Sequence, residues 1–229
     1  MFFAHFASRR TLLTLAGLVV IGLAVSAAPR QSHAQTITDL FNTGVDAGNN
    51  VLPDGDIDPH YTQNSGNPDT PNTFVYTNSG YVDNPTSKYI TIDQSGGDGF
   101  YTVNFRTSFT LPSNVDLSAV SITGNWAVDN LGNDILINGV STGITSPGFF
   151  NFTNFVLPTG SYVIGLNTLD FVVENDGGPG ALNVYFDSAT APTGGPAATP
   201  EPGSIALLVG MGLSGATFLR RRRSARKPS

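Results

Sequence analysis

The sequence predicts an all-β protein, a β-sandwich flanked by an N-terminal signal helix and a single C-terminal transmembrane helix. Three observations predict it. Residues 36–188 carry turn-forming residues about every 8–12 positions and no amphipathic helical stretch, the rhythm of a sandwich. Within them, runs such as residues 99–111 alternate apolar and polar side chains, the period of a strand with one buried face. Outside them, two uncharged apolar runs stand at opposite ends, each beside arginines.

Residues 1–34 have the parts of a signal peptide. Arg9 and Arg10 form the positive region, residues 11–25 the apolar region, and small residues offer two cleavage points. Ser32-His33-Ala34 before Gln35 is preferred over Val25-Ser26-Ala27 before Ala28, because the acidic, fold-like sequence starts just after it. The Ser8–Leu13 stretch also resembles a twin-arginine export signal, but it lacks the usual Phe and the following Lys, which leaves the general secretory route ahead.

The body, residues 35–188, reads strand by strand. Tyr101, Val103 and Phe105 alternate with Thr102, Asn104 and Arg106; residues 120–128 form a second strand around Trp126. Residues 135–141 form a hairpin whose Asn138-Gly139 dipeptide tolerates the positive φ of a type I′ turn. Residues 167–175 put Leu169, Phe171 and Val173 on one face, and residues 181–186 close the set. No repeat of 20–50 residues is present, which disfavours a solenoid or propeller. Residues 189–199, all Ala, Thr, Pro and Gly, are a flexible linker.

The tail, residues 200–224, has three parts in order. Pro200-Glu201-Pro202 is followed by the uncharged run 203–219 and then by Arg220, Arg221, Arg222 and Arg223. Seventeen residues at ~1.5 Å each make a helix of roughly 25 Å, marginal for a bilayer core. Four guanidiniums stay on the cytoplasmic side, so the body lies outside the inner membrane. Gly210, Gly212 and Gly215 keep the helix thin enough for a partner helix to approach closely.

Charge is segregated. Residues 35–199 contain sixteen acids and only two bases, Lys88 and Arg106, a formal charge near −14. Such a surface repels phosphate backbones and excludes nucleic acid as a partner, while neutral glycans and cations remain compatible with it. Cysteine is absent, which removes disulfides, thiolate metal sites and a cysteine nucleophile.

The three-part tail resembles the PEP-CTERM sorting signal, a segment also known as the ice-binding protein C-terminal domain. The resemblance implies an exosortase, an intramembrane cysteine protease, as partner. It would recognise Pro200-Glu201-Pro202, remove the tail, and leave the product shed or attached at the surface of a cell that makes exopolysaccharide. The body resembles the galactose-binding-type jelly roll through an aromatic strand at Trp126, the Asp134–Gly139 "D-x-x-x-N-G" hairpin and the Gly165–Phe171 "G-x-N-x-L-x-F" run. That resemblance covers about a third of the body and implies the jelly-roll fold more strongly than sugar binding, since its Gly and Asn residues are mostly turn-makers.

Candidate sites follow. Trp126 is a core aromatic between sheets or, alternatively, a platform for a sugar ring, with Asp129, Asn130 and Asp134 nearby to bond hydroxyls or cap turns. Tyr61, Tyr76 and Tyr81 are further aromatic candidates in the irregular N-terminal third. Asp54, Asp56 and Asp58 alternate as the ligands of calcium loops do. Pro59 and Ser65 replace the Gly and Glu an EF-hand requires, so calcium, the one cofactor the sequence suggests, would need an irregular loop. His60 is the sole histidine beyond residue 34, giving neither a triad nor a multi-histidine metal site. The expectation is therefore a non-enzymatic exported surface protein associated with exopolysaccharide, or alternatively a carbohydrate-binding module. No regularly spaced Thr ladder supports ice binding.

Overall fold

The computed structural model describes residues 32–194. The signal helix expected over residues 1–34 and the transmembrane helix expected over 203–219 fall almost wholly outside the described residues. Among the described residues there are twelve strands, two short 3-10 turns (Leu117–Ala119 and Thr159–Ser161) and no α-helix. No described helix is long and apolar enough to cross a membrane.

Two five-stranded antiparallel sheets form the sandwich. The first runs β2 (Thr62–Gln63), β5 (Phe100–Leu111), β10 (Gly165–Asp176), β7 (Leu131–Ile137) and β8 (Val140–Ser141). The second runs β3 (Phe74–Tyr76), β4 (Tyr89–Thr91), β11 (Ala181–Thr190), β6 (Ser121–Asp129) and β9 (Thr153–Val156). β1 (Ser32–His33) pairs with β12 (Thr193–Gly194) in a separate two-stranded ribbon.

Alternation builds the core between the sheets. Val103, Phe105, Phe109 and Leu111 of β5 and Leu169, Phe171 and Val173 of β10 face Ile122, Trp126 and Val128 of β6 and Leu182 and Val184 of β11. Polar partners line the outer face of the first sheet, where Arg106 grips the buried Asp170 carboxylate at 2.6 and 3.0 Å. Register in β7 changes at Asn133, which bulges between the Val172–Asp134 and Val173–Gly132 pairs and donates to Glu174 at 2.7 Å. The bulge lets Gly132 and Ile135, three apart, both point inward. The hairpin at Asn138 (φ 52°) and Gly139 (φ 80°) has the positive φ pair the dipeptide predicts.

The domain boundaries differ from the sequence expectation in one respect. Ala189 and Thr190, read as the start of a flexible linker, are the last residues of β11, and Ala191 is buried in the core. Residues 35–37 hold this stretch through Ala191 N to Gln35 O at 2.7 Å and Ile37 N to Ala189 O at 2.9 Å. Small side chains suited this edge as well as they would have suited a linker, so composition misled. The chain thus enters and leaves the sandwich at one corner.

Candidate functional site

At the far end of the sandwich, loops cover the second sheet. Ala127 of β6 and Ala181 of β11 put only methyl groups on the outer face there, leaving room for Tyr81, Val82, Tyr89 and Phe152 to pack as a small second core. The β3–β4 connection, residues 77–88, supplies two of them. Its course is set by asparagine turns: Asn78 accepts from Gly80 N at 2.9 Å and Asn84 from Thr86 N at 2.7 Å. Tyr81 N donates to Asn78 O, which throws the Tyr81 ring back over the sheet.

The result is an aromatic cleft. The Tyr81 ring lies 4.5 Å from Tyr89, 6.2 Å from Tyr76 and 5.0 Å from Phe149. Phe150 packs at a tilt against Phe149 at 4.3 Å and is 73 % exposed. Backbone and side-chain bonds fix the rings: Val82 N donates to Phe149 O at 3.0 Å, and Tyr81 Oη donates to Asp129 Oδ2 at 2.7 Å. Gly96 backs Tyr76 so closely that a Cβ there would lie 2.8 Å from the ring. A space of about 200 Å³ beside Tyr76, Tyr81 and Tyr89 is edged by Asn78, Ser79 and the Asp83–Lys88 ion pair at 2.9 Å.

Asp129 supports this cleft from below. It is 6 % exposed, and its Oδ1 is buried without a partner among the described residues. Burial pushes its pKa above the usual 3.8, against the opposing pull of the Tyr81 hydrogen bond. The Tyr81 hydroxyl is held protonated far above its ordinary range, by burial first and Asp129 second. A raised carboxyl pKa favours the fold below the unfolded value and weakens it as pH climbs through the folded value. Asp129→Asn keeps an acceptor for Tyr81 and removes that titration. The variant's thermal midpoint should therefore gain on the wild type as pH rises from about 4 to 7; parallel curves would refute the role.

The other sequence-predicted residues do not join this site as ligands. Trp126 is fully buried, its ring 5.7 Å from Phe171, so no sugar can reach its face. Asn130 accepts from Asp176 N at 2.7 Å, tying the β6–β7 turn to β10. Asp134 caps the β8 hairpin, accepting from Gly143 N at 2.9 Å, Thr142 N at 3.2 Å and the Ser141 hydroxyl. Both are engaged as turn braces. Tyr61 is buried, its hydroxyl on Phe41 O at 3.0 Å.

In the Asp54–Asp58 loop two of the three carboxylates are taken up by backbone N–H groups. Asp58 is buried, with Oδ2 accepting from Gly44 N at 2.6 Å and Oδ1 from His60 N at 2.7 Å. Asp54 turns to Thr77 N at 2.6 Å. Among the described residues no three His, Cys, Asp or Glu side chains are grouped to hold a metal ion. Asp54 and Asp58 brace backbone. His60 stacks on Phe41 at 3.6 Å with a buried, unpartnered Nε2. Of the cleft, the sequence named Tyr76 and Tyr81 but missed Tyr89, Phe149 and Phe150; their common signal is aromatics beside Asn-Gly-Ser turns at one end of the strands.

Comparison with known proteins adds one firm result. Residues 198–223 match the PEP-CTERM protein-sorting motif. That motif implies export, processing by an exosortase and sorting through the membrane to the cell surface. Pro200, Glu201, Pro202 and Arg220–Arg223 fall within it, outside the described residues. No curated protein matches the chain. The crystal structure of a Podospora anserina GH26-CBM35 β-(1,4)-mannanase is similar at 17 % identity and a TM-score of 0.31, over 66 % of this chain and 29 % of that one. The chain thus spans under a third of that structure's length.

Proposed function

We propose, with the sorting motif at residues 198–223 as premise, that this chain is a non-enzymatic surface or matrix protein. It is held briefly in the inner membrane, cut at Pro200-Glu201-Pro202 by an exosortase and delivered among exopolysaccharide. The observation that carries the reading is the order of parts: an export-type N-terminus, a sandwich body and a sorting motif. The acidity of the body fits a life among neutral polymer rather than on anionic lipid or nucleic acid.

The first test is the mature terminus. Mass spectrometry of the protein from an exosortase-positive host should find no peptide beyond Pro202, whereas a host without the protease should retain the arginine cluster. An intact Arg220–Arg223 end in both hosts would overturn the reading. A second reading, a carbohydrate-binding module of galactose-binding-like jelly-roll type, is favoured by the tyrosine cleft.

A further inference from the structure

We infer that the tyrosine cleft lined by residues 76–83 and Tyr89 binds a neutral glycan, taking one sugar ring or chain end against Tyr76 and Tyr81. The inference deepens the carbohydrate-binding reading and rests on the export reading for the direction the cleft faces.

Chemistry selects the ligand class. A pyranose offers an apolar C–H face and a ring of hydroxyls. The cleft offers tyrosine faces, with an amide, hydroxyls and a charge pair at its edge. Its one cation, Lys88, is bonded to Asp83 at 2.9 Å, and the body's other base, Arg106, is bonded to Asp170 in the opposite sheet. Among the described residues no free Lys or Arg is left for a uronate, sulfate or phosphate, and a body near −14 repels all three. A cleft of about 200 Å³ lies below the roughly 300–1,000 Å³ of sites that enclose drug-sized ligands, which suits a single ring.

Rigidity and position add to this. Tyr81 is held by Asp129 and Tyr76 is wedged by Gly96. Rings ordered before the ligand arrives lose little entropy on binding. The cleft also sits where β11 begins, since Ala181 pairs with Asp129 there, while the chain leaves the sandwich beyond Thr190, paired with Ser121. Ten residues of strand separate the two ends by roughly 30 Å. A chain tethered through its tail therefore presents the cleft outward.

The test uses the full chain purified in detergent from a host lacking exosortase. Binding is then read independently of sorting, and the failure of one does not carry the other. Affinity electrophoresis through β-glucan and galactomannan, with alginate as the anionic comparison, should show retardation by at least one neutral polymer and none by alginate. Tyr76→Ala should weaken that binding roughly tenfold, about 1.4 kcal/mol, and Tyr76→Phe should leave it near wild type. Phe100→Ala, an 84 % exposed aromatic outside the cleft, should change nothing. Near-UV circular dichroism reports whether Tyr76→Ala folds; if it does not, Tyr76→Leu, which keeps apolar bulk but loses the flat ring, takes its place. Absence of retardation in every neutral gel, equal retardation of the variants, stronger retardation by alginate, or self-association through this end on sedimentation would each overturn the inference.

Discussion

Trp126→Ala should destabilise the body by about 3–5 kcal/mol, lowering its thermal midpoint by roughly 10 °C. The ring is fully buried at the middle of β6, where Trp126 pairs with Val184 on one side and Thr153 on the other. Across the core it meets Phe171 and lies directly on Gly132 of β7. Removing it opens a cavity that two hydrogen-bonded sheets cannot collapse to fill. The seat can be tested from the other side as well. A Cβ on Gly132 would stand 2.3 Å from the ring, so Gly132→Ala should itself destabilise by about 1–3 kcal/mol or more through overpacking. Trp126→Phe shortens the ring and removes an indole N–H that is buried without a partner. It should therefore cost far less than the alanine change and relieve part of the Gly132→Ala defect. Additive effects in urea denaturation of the double variant would show that ring and glycine are not coupled.

Asp58→Ala comes next in size, at about 2–4 kcal/mol. Two backbone N–H groups, of Gly44 and His60, donate to this one buried carboxylate, and alanine leaves both without an acceptor. Gly44 has φ +67° and packs against Lys88 Cβ, so the segment has little freedom to find other partners. Asp58→Asn keeps one acceptor oxygen but turns an amide donor toward a second donor, and should fall between the two. Burial, the main influence, raises the Asp58 pKa, while the two N–H bonds pull it down. Its charged form is thus tolerated rather than favoured, and the wild type should gain stability relative to Asp58→Asn as pH falls from its folded pKa towards 3.8. Urea midpoints across that range decide it; an unchanged midpoint for Asp58→Ala would show the bonds to be dispensable.

The long strands were legible because each has one face in the core and one in solvent. β5 alternates from Val103 to Leu111, β10 does so apart from the buried Asp170 between Leu169 and Phe171, and Asn138-Gly139 marked its turn by backbone chemistry alone. Trp126 shared parity with Ile122 and Val128 along β6, a signal that already placed it inward. The short strands escaped notice for a physical reason. Tyr89, Ile90 and Thr91 are all buried, because loops cover the outer face of β4, so no alternation survives there to be seen. The same covering hid the cleft, whose aromatics come from segments some sixty residues apart, Tyr89 and Phe149. The roles of Asp54 and Asp58 were hidden because carboxylates that collect backbone N–H groups and carboxylates that collect a cation share one sequence pattern.

The corner where the chain departs governs how the body would bear a pull. β11 is the middle strand of its sheet, and the tail continues from it through Ala191 and Pro192 into β12. Tension applied beyond residue 194 therefore runs lengthwise into β11 and meets the β6 ladder, from Thr190–Ser121 to Ala181–Asp129, in shear. Rungs loaded side by side share the force, whereas an edge strand drawn sideways would surrender them one after another. A pull taken up along β11 is therefore opposed by the whole β6 ladder at once.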